Sequence, residues 1–296
     1  MKLFLLFASL FLFSVQYASG QLTTLGNLPL SIDESSGIEN GENYTIWTFN
    51  DSGGRQELYQ CDTTGKLVRT LKIKNAANDD WEDITQDDEG HFYIGNFGNN
   101  SNKRKELSLF KIKIPQQQNE SIDFVSAEKI SFRFEDQTEF PPPKNQMNFD
   151  CEAVFWFNKR LYLFTKHRTL PMKTNLYSIP DKPGNHIAKK IGSFATGVAK
   201  PGEHPWFGYW VTAADISPDK NKVALISGTT LWIFYDFEND NFLKGKVKTI
   251  SLERNTQKEA VCFANDTTIY ITDEYIRSSG SGGKLYKIDL STYFGD

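Results

Sequence analysis

Methionine and cysteine are scarce in this 296-residue chain, at three each, and lysine and arginine do not outnumber the acids, leaving a net charge of −4. Three cysteines cannot all pair, and a chain of this length buries enough core to fold without a disulfide framework. Cys61, Cys151 and Cys262 therefore read as buried, mostly unpaired residues, with one bridge as the alternative. Without clustered excess of basic charge there is no broad footing on nucleic acid or an anionic membrane, and neither is expected as a partner. The one apolar run of note, Leu3 to Phe13, is too short to span a bilayer. With Lys2 before it and Ala18-Ser19-Gly20 after it, it has the three parts of a secretory signal removed after Gly20. Residues 1–20 are thus expected to be a signal peptide on an exported protein, periplasmic or secreted. Residues 21–296 are expected to form one domain, working as a monomer without a membrane span. Five N-x-[ST] sequons, at Asn43, Asn50, Asn99, Asn119 and Asn265, would carry sugar only in a eukaryotic secretory pathway.

What the chain has in quantity is aromatic residues, 23 Phe, 12 Tyr and 6 Trp, which favour strands over helices. It also repeats. An acid leads into a short apolar strand at Glu34, Glu82, Glu152, Asp215 and Glu259, at intervals of 48, 70, 63 and 44 residues. Each opening is followed by a second strand, at Tyr44 to Phe49, His91 to Asn96, Arg160 to Thr165, Lys222 to Ser227 and Thr268 to Thr272. Third strands around Leu58, Leu109, Leu176, Leu231 and Leu285 alternate as half-buried strands do. Fourth strands lie at Leu67 to Ile73, Glu128 to Phe134, Ala188 to Phe194 and Lys246 to Leu252, but the fifth unit has none. Leu22 to Ser31, which belongs to no unit, is expected to supply it and close a ring, protecting the sheet edges. The fold class predicted is all-β, a β-propeller of five four-stranded blades. A sixth blade inside the 70-residue interval is the first alternative, two separate β-sandwiches the second.

In a propeller the first strands line the central channel, so the opening acids collect at one mouth. Glu34, Asp51, Glu82, Glu152, Asp215 and Glu259 are the expected ligands of a divalent cation, calcium foremost, because converging carboxylates repel unless a hard cation or protons relieve them. The alternative is that these acids latch neighbouring blades by accepting backbone hydrogen bonds. Asn50-Asp51-Ser52-Gly53-Gly54 and Asp79-Asp80-Trp81-Glu82-Asp83 offer further oxygens; neither is an EF-hand loop. Lys166, His167 and Arg168 are the basic group expected on the same rim and the candidate catalytic residues, with His167 carrying protons near neutral pH. A solvated turn is the alternative for them. No G-x-S-x-G elbow occurs, and the remaining histidines do not make a zinc set. The Pro205-Trp206-Phe207-Gly208-Tyr209-Trp210 segment either stacks on a sugar or plugs two blades.

The segments Glu34-Ser35-Ser36-Gly37, Asn50-Asp51-Ser52-Gly53-Gly54, Trp81-Glu82-Asp83-Ile84, Gly95-Asn96-Phe97-Gly98-Asn99-Asn100 and Asp150-Cys151-Glu152-Ala153 resemble a widespread group of exported bacterial propeller proteins with no settled activity. In architecture alone, the ring with acids at its mouth is similar to calcium-activated apyrases and to phytase-like and lactonase-like hydrolases. That likeness implies a metal-dependent hydrolase of a phosphoester or lactone acting on a small anionic substrate. It carries over no catalytic residue, since the motifs do not match position by position. The competing expectation is a non-catalytic propeller recognising a glycan, peptide or envelope partner.

Overall fold

Hairpin turns set the local geometry. Asp87 Oδ1 accepts the backbone N–H of Glu89 and His91 at 2.9 and 2.8 Å, and Asn265 Oδ1 accepts those of Thr267 and Thr268 at 2.9 Å each. An Asx side chain thereby turns the chain from one strand into the next. The computed structural model describes residues 18–116, 122–197, 206–252 and 256–294. Most of the expected signal segment, residues 1–17, and the sequon at Asn119 lie outside them.

Strands β1 (Ala18–Gly20) and β2 (Thr23–Asn27) precede the first unit, β3 (Ser35–Asn40), β4 (Thr45–Asn50), β5 (Glu57–Asp62) and β6 (Leu67–Ile73). The second unit is β7 (Trp81–Gln86), β8 (His91–Asn96) and β9 (Leu107–Lys113), then, after β10 (Ile122–Val125), β11 (Glu128–Phe134). The third is β12 (Asp150–Phe157), β13 (Arg160–Lys166), β14 (Lys173–Pro180) and β15 (Gly184–Ala195). The fourth is β16 (Ala213–Ile216), β17 (Lys222–Ile226), β18 (Thr230–Tyr235) and β19 (Lys246–Leu252). The last is β20 (Lys258–Asn265), β21 (Thr268–Asp273) and β22 (Lys284–Asp289). Within each unit successive strands pair antiparallel. β2 pairs antiparallel with β22, Thr23 opposite Lys287 and Asn27 opposite Lys284, so the N-terminal segment fills the outer edge of the last unit. Only Thr23–Asn27 of the expected Leu22 to Ser31 does this; Leu30–Ile32 is a 3-10 turn.

The inner strands contact one another in the order β3, β7, β12, β16, β20 and back to β3. The ring arrangement and the all-β content agree with a β-propeller. Three outer pairings were not foreseen, and all are parallel: β1 on β19, β10 on β6, and the first half of β15 on β11. They cover edges that would otherwise present unpaired N–H and C=O groups, though β1 is the end of the expected signal segment and removal after Gly20 would bare the β19 edge again. The last of them joins the second and third units into one eight-stranded sheet.

The core lies between units rather than on one side of each. Phe92 and Ile94 of β8 pack against Trp47, Phe49 and Leu71 of the first unit, while Tyr93 points the other way, toward Trp156 and Tyr177 of the third. Five such clusters separate successive units, the last joining Cys262 and Leu285 to Ile38 and Ile46. Half-buried alternation, expected of the third strands, is replaced in β14 by burial on both faces from Thr174 to Ile179. Each buried Phe or Leu of the core contributes about 1.5–3 kcal/mol. All three cysteines are buried and free.

Candidate metal centre at the channel mouth

Four inner strands bulge near their start, and three of the bulges carry an acid. The ladder of β12 with β13 slips between Cys151 and Ala153, and that of β20 with β21 between Lys258 and Ala260, which leaves Glu152 and Glu259 as the extra residues. The slip between Trp81 and Ile84 falls on Glu82-Asp83, and the one between Ser35 and Ile38 on Ser36-Gly37. A bulged residue leaves the ladder and its side chain is re-aimed. β16 pairs with β17 without a slip.

The resulting mouth brings together Asp51, Asp80 and Glu82, whose carboxylate oxygens lie within 4.8 Å of one another. Asn78 Nδ2 holds the carbonyls of Asn50 and Asp51 at 2.9 and 3.0 Å, and Asn96 Oδ1 accepts the N–H of Asp79 and Asp80, both at 3.1 Å. Gly98 forms the wall: a Cβ there would stand 2.1 Å from Glu82 Oε1 and 2.4 Å from Asp80 Oδ2. Any larger residue would displace the acids.

The electrostatics follow from crowding. Burial, with Asp80, Glu259 and Glu34 adding to it, pushes Asp51 up to about 7. Burial, then Glu152 and Asp51, hold Glu82 well above the usual carboxylate range, and burial also raises Asp80. Glu274 is pushed up to about 9 by burial and by Glu259 and Asp51. Lys166 enters this ring, its Nζ 2.8 Å from Glu152 Oε1. Burial would lower the ammonium, but Glu152, Asp150, Glu259 and Glu82 together outweigh it and hold Lys166 protonated. Its Nζ lies 5.6 Å from the Trp210 ring, with the Arg168 guanidinium 4.9 Å from the same ring. Trp210, of the aromatic segment, thus reaches the site.

Of the six expected ligands, Asp51 and Glu82 lie in the cluster, and Glu152 and Glu259 border it through Lys166. Glu34 is exposed on the rim, where its carbonyl accepts the Asp51 N–H at 3.0 Å. Asp215 does not belong. Its Oδ1 accepts Ile216 N–H and its Oδ2 accepts Phe263 N–H, both at 2.7 Å, and its charged neighbours are Glu39, Asp83 and Lys220. It latches the fourth unit to the fifth, as Asp83 latches the second to the third and fourth by accepting Val154 N–H at 2.9 Å and Ala214 N–H at 3.1 Å. Asp80, which the sequence offered only as a further oxygen beside Glu82, completes the cluster; its position before the bulge was the available signal.

His167 is also corrected. Successive strand residues face opposite ways, so once Lys166 points into the mouth its neighbour points out. His167 is buried, and burial, with Lys190 and Lys173 adding to it, lowers its imidazole to about 4, too low to carry protons near neutral pH, the role expected of it. Arg168 is engaged structurally: Nε donates to Asp150 Oδ2 at 2.8 Å, and Nη2 donates to Asn100 Oδ1. The Asn99 sequon is buried, its amide bonded to the Phe149 carbonyl at 3.1 Å. A second acidic group, Asp87, Glu89 and His91, belongs to the turn already described.

No family model and no curated protein matches the sequence. Among solved structures the chain is similar to the PQQ-bound form of aldose sugar dehydrogenase from Streptomyces coelicolor, at 9% identity and a TM-score of 0.51 over 92% of this chain and 98% of that one. It also aligns with a catalytically inactive virginiamycin B lyase from Staphylococcus aureus with quinupristin, at 12% identity and a TM-score of 0.39 over 89% of this chain and 68% of that one. The likeness to the dehydrogenase shows a β-propeller fold and nothing of activity.

Proposed function

We propose that this chain is an exported five-bladed propeller, of the bacterial group its motifs resemble, whose mouth binds a divalent cation, calcium foremost. The count of five takes the two halves of the eight-stranded sheet as separate blades. Asp51, Asp80 and Glu82 would hold the ion, with Glu152 and Glu259 beside them. The observation that carries this is the convergence of three carboxylates within 4.8 Å, two of them half-buried and one buried, around a glycine that leaves them room. Oxygen-only donors suit a hard cation. A bound cation polarises an ester or lactone carbonyl, or a phosphoryl group.

The activity we infer for such a mouth is hydrolysis of a phosphoester or lactone. Lys166 would stabilise developing negative charge, and Glu274, protonated at neutral pH, would donate a proton to the leaving group. The test is calorimetry of calcium into chelator-stripped protein, followed by a screen of phosphoesters, nucleotides and lactones with and without calcium. No heat and no change in Tm at millimolar calcium would remove the cation. The second reading, a non-catalytic binding propeller, is favoured by Lys166, which already supplies a cation among Glu82, Glu152 and Glu259. Absence of turnover on every substrate class, with and without calcium, selects it.

A further inference from the structure

Beside the mouth, but separate from the carboxylate cluster, two clefts open along the second unit. The larger, about 420 Å³, is lined by Asp79, Asn96, Arg104, Glu106, Ser108 and Lys129 over the ring of Phe110, among others. The smaller, about 210 Å³, continues outward past Lys105, Ser131, Arg133, Asn185 and His186. Glu106 lines both, so the two clefts adjoin, one beside the channel mouth and the other at the seam between β11 and β15. Taken together as a groove, they suit an elongated occupant rather than a single compact one.

The chemistry of the lining narrows the class. Arg104, Lys105, Lys129 and Arg133 face the groove against only Asp79 and Glu106, an excess of two positive charges on a chain whose net charge is −4. Local positive potential on an acidic protein selects an anion. Bare anion binding would not need acids in the lining, yet Asp79 uses Oδ2 for Asn96 and keeps Oδ1, and Glu106 uses Oε1 for Lys129 and Ser131 and keeps Oε2. Those two oxygens accept hydroxyl hydrogens, the Ser108 hydroxyl can donate, and Phe110 supplies an apolar floor for a ring face.

The geometry points to this groove as the binding site of an acidic oligosaccharide, with hydroxyls read near Asp79 and Ser108 and carboxylates or sulfates held near Lys105 and Arg133. The inference does not rest on the metal reading. It is tested on the full chain in chelator by calorimetry with tetragalacturonate, with maltotetraose as a neutral glycan and with tetraglutamate as an acidic peptide. Tetragalacturonate is expected to bind at least tenfold tighter than either. Lys105→Ala and Arg133→Ala, both at exposed positions, should each weaken it about two- to fivefold, and more at low salt, while leaving maltotetraose unaffected. Absence of binding by tetragalacturonate, equal or tighter binding of tetraglutamate, or no effect of either variant would overturn the inference. Calcium heat measured separately reports on the mouth, so the two readings fail independently.

Discussion

Replacing Asp83 should loosen the ring more than any surface change. Its Oδ2 accepts Val154 N–H and Ala214 N–H, on the inner strands of two other units, and its Oδ1 accepts Ile84 N–H at 2.9 Å. Asp83→Ala leaves three buried donors without this acceptor, each worth about 1–3 kcal/mol. Burial opposes part of this, because it holds the carboxyl well above its usual range and alanine escapes that penalty. The expected loss is therefore toward the lower end of the sum, about 3–5 kcal/mol. Asp83→Asn keeps one oxygen, enough for the two donors that share Oδ2, and should lose only about 1–2 kcal/mol. Urea unfolding at pH 7 reads both values from the midpoint, with an unchanged slope as the check that only stability moved. An alanine variant within about 1 kcal/mol of the parent, or an asparagine variant as damaged as alanine, would refute a latch built on these bonds.

Asp215 and Glu274 have folded pKa values of about 7 and about 9, raised above their ordinary values. A raised carboxyl contributes stability that is fully present below its unfolded pKa and lost as pH rises through the folded one. Chelated protein should accordingly lose stability between about pH 4 and 9, and Asp215→Asn should flatten the part below pH 7; a Tm constant over this window would contradict both. Calcium binding must deprotonate Asp51, so its affinity should increase from pH 6 to pH 8 with proton release, visible in buffers of different ionisation enthalpy. Asp51→Asn and Glu82→Gln should each weaken calcium at least tenfold. If a hydrolysed substrate is found, Glu274→Gln should cost about 10²–10⁴ in turnover, whereas His167→Ala should leave turnover within a few-fold. Deleting Thr23–Asn27 should destabilise the chain sharply, by unpairing β22.

Strands and hairpins were legible because alternation and turn residues are local, and the segment that pairs with β22 was legible because one unit lacked a strand. Two features were not. Whether an opening acid faces the mouth depends on a bulge, and nothing local distinguishes Asp215 in the unslipped β16 from Glu152 in a slipped strand. The parallel edge strands Ala18–Gly20 and Ile122–Val125 gain their partners from far along the chain, so no nearby spacing announces them. His167 was different: period-two alternation places adjacent residues on opposite faces, and assigning Lys166 to the mouth should have removed its neighbour.

The strand Gly184–Ala195 begins on the edge of the second unit and ends on that of the third, without a break. Mechanically it is a splint. Shear between those two units would have to stretch covalent backbone or peel two ladders together; the first–second seam is crossed instead by two shorter strands, β10 on β6 and then β11 on β9, and the remaining seams are held chiefly by side-chain packing and latch bonds. Thermal breathing of the ring is therefore steered away from this joint, and amide exchange in Ile130–Phe134 and Gly184–Ala188 should match that of the innermost strands although both segments lie at the periphery.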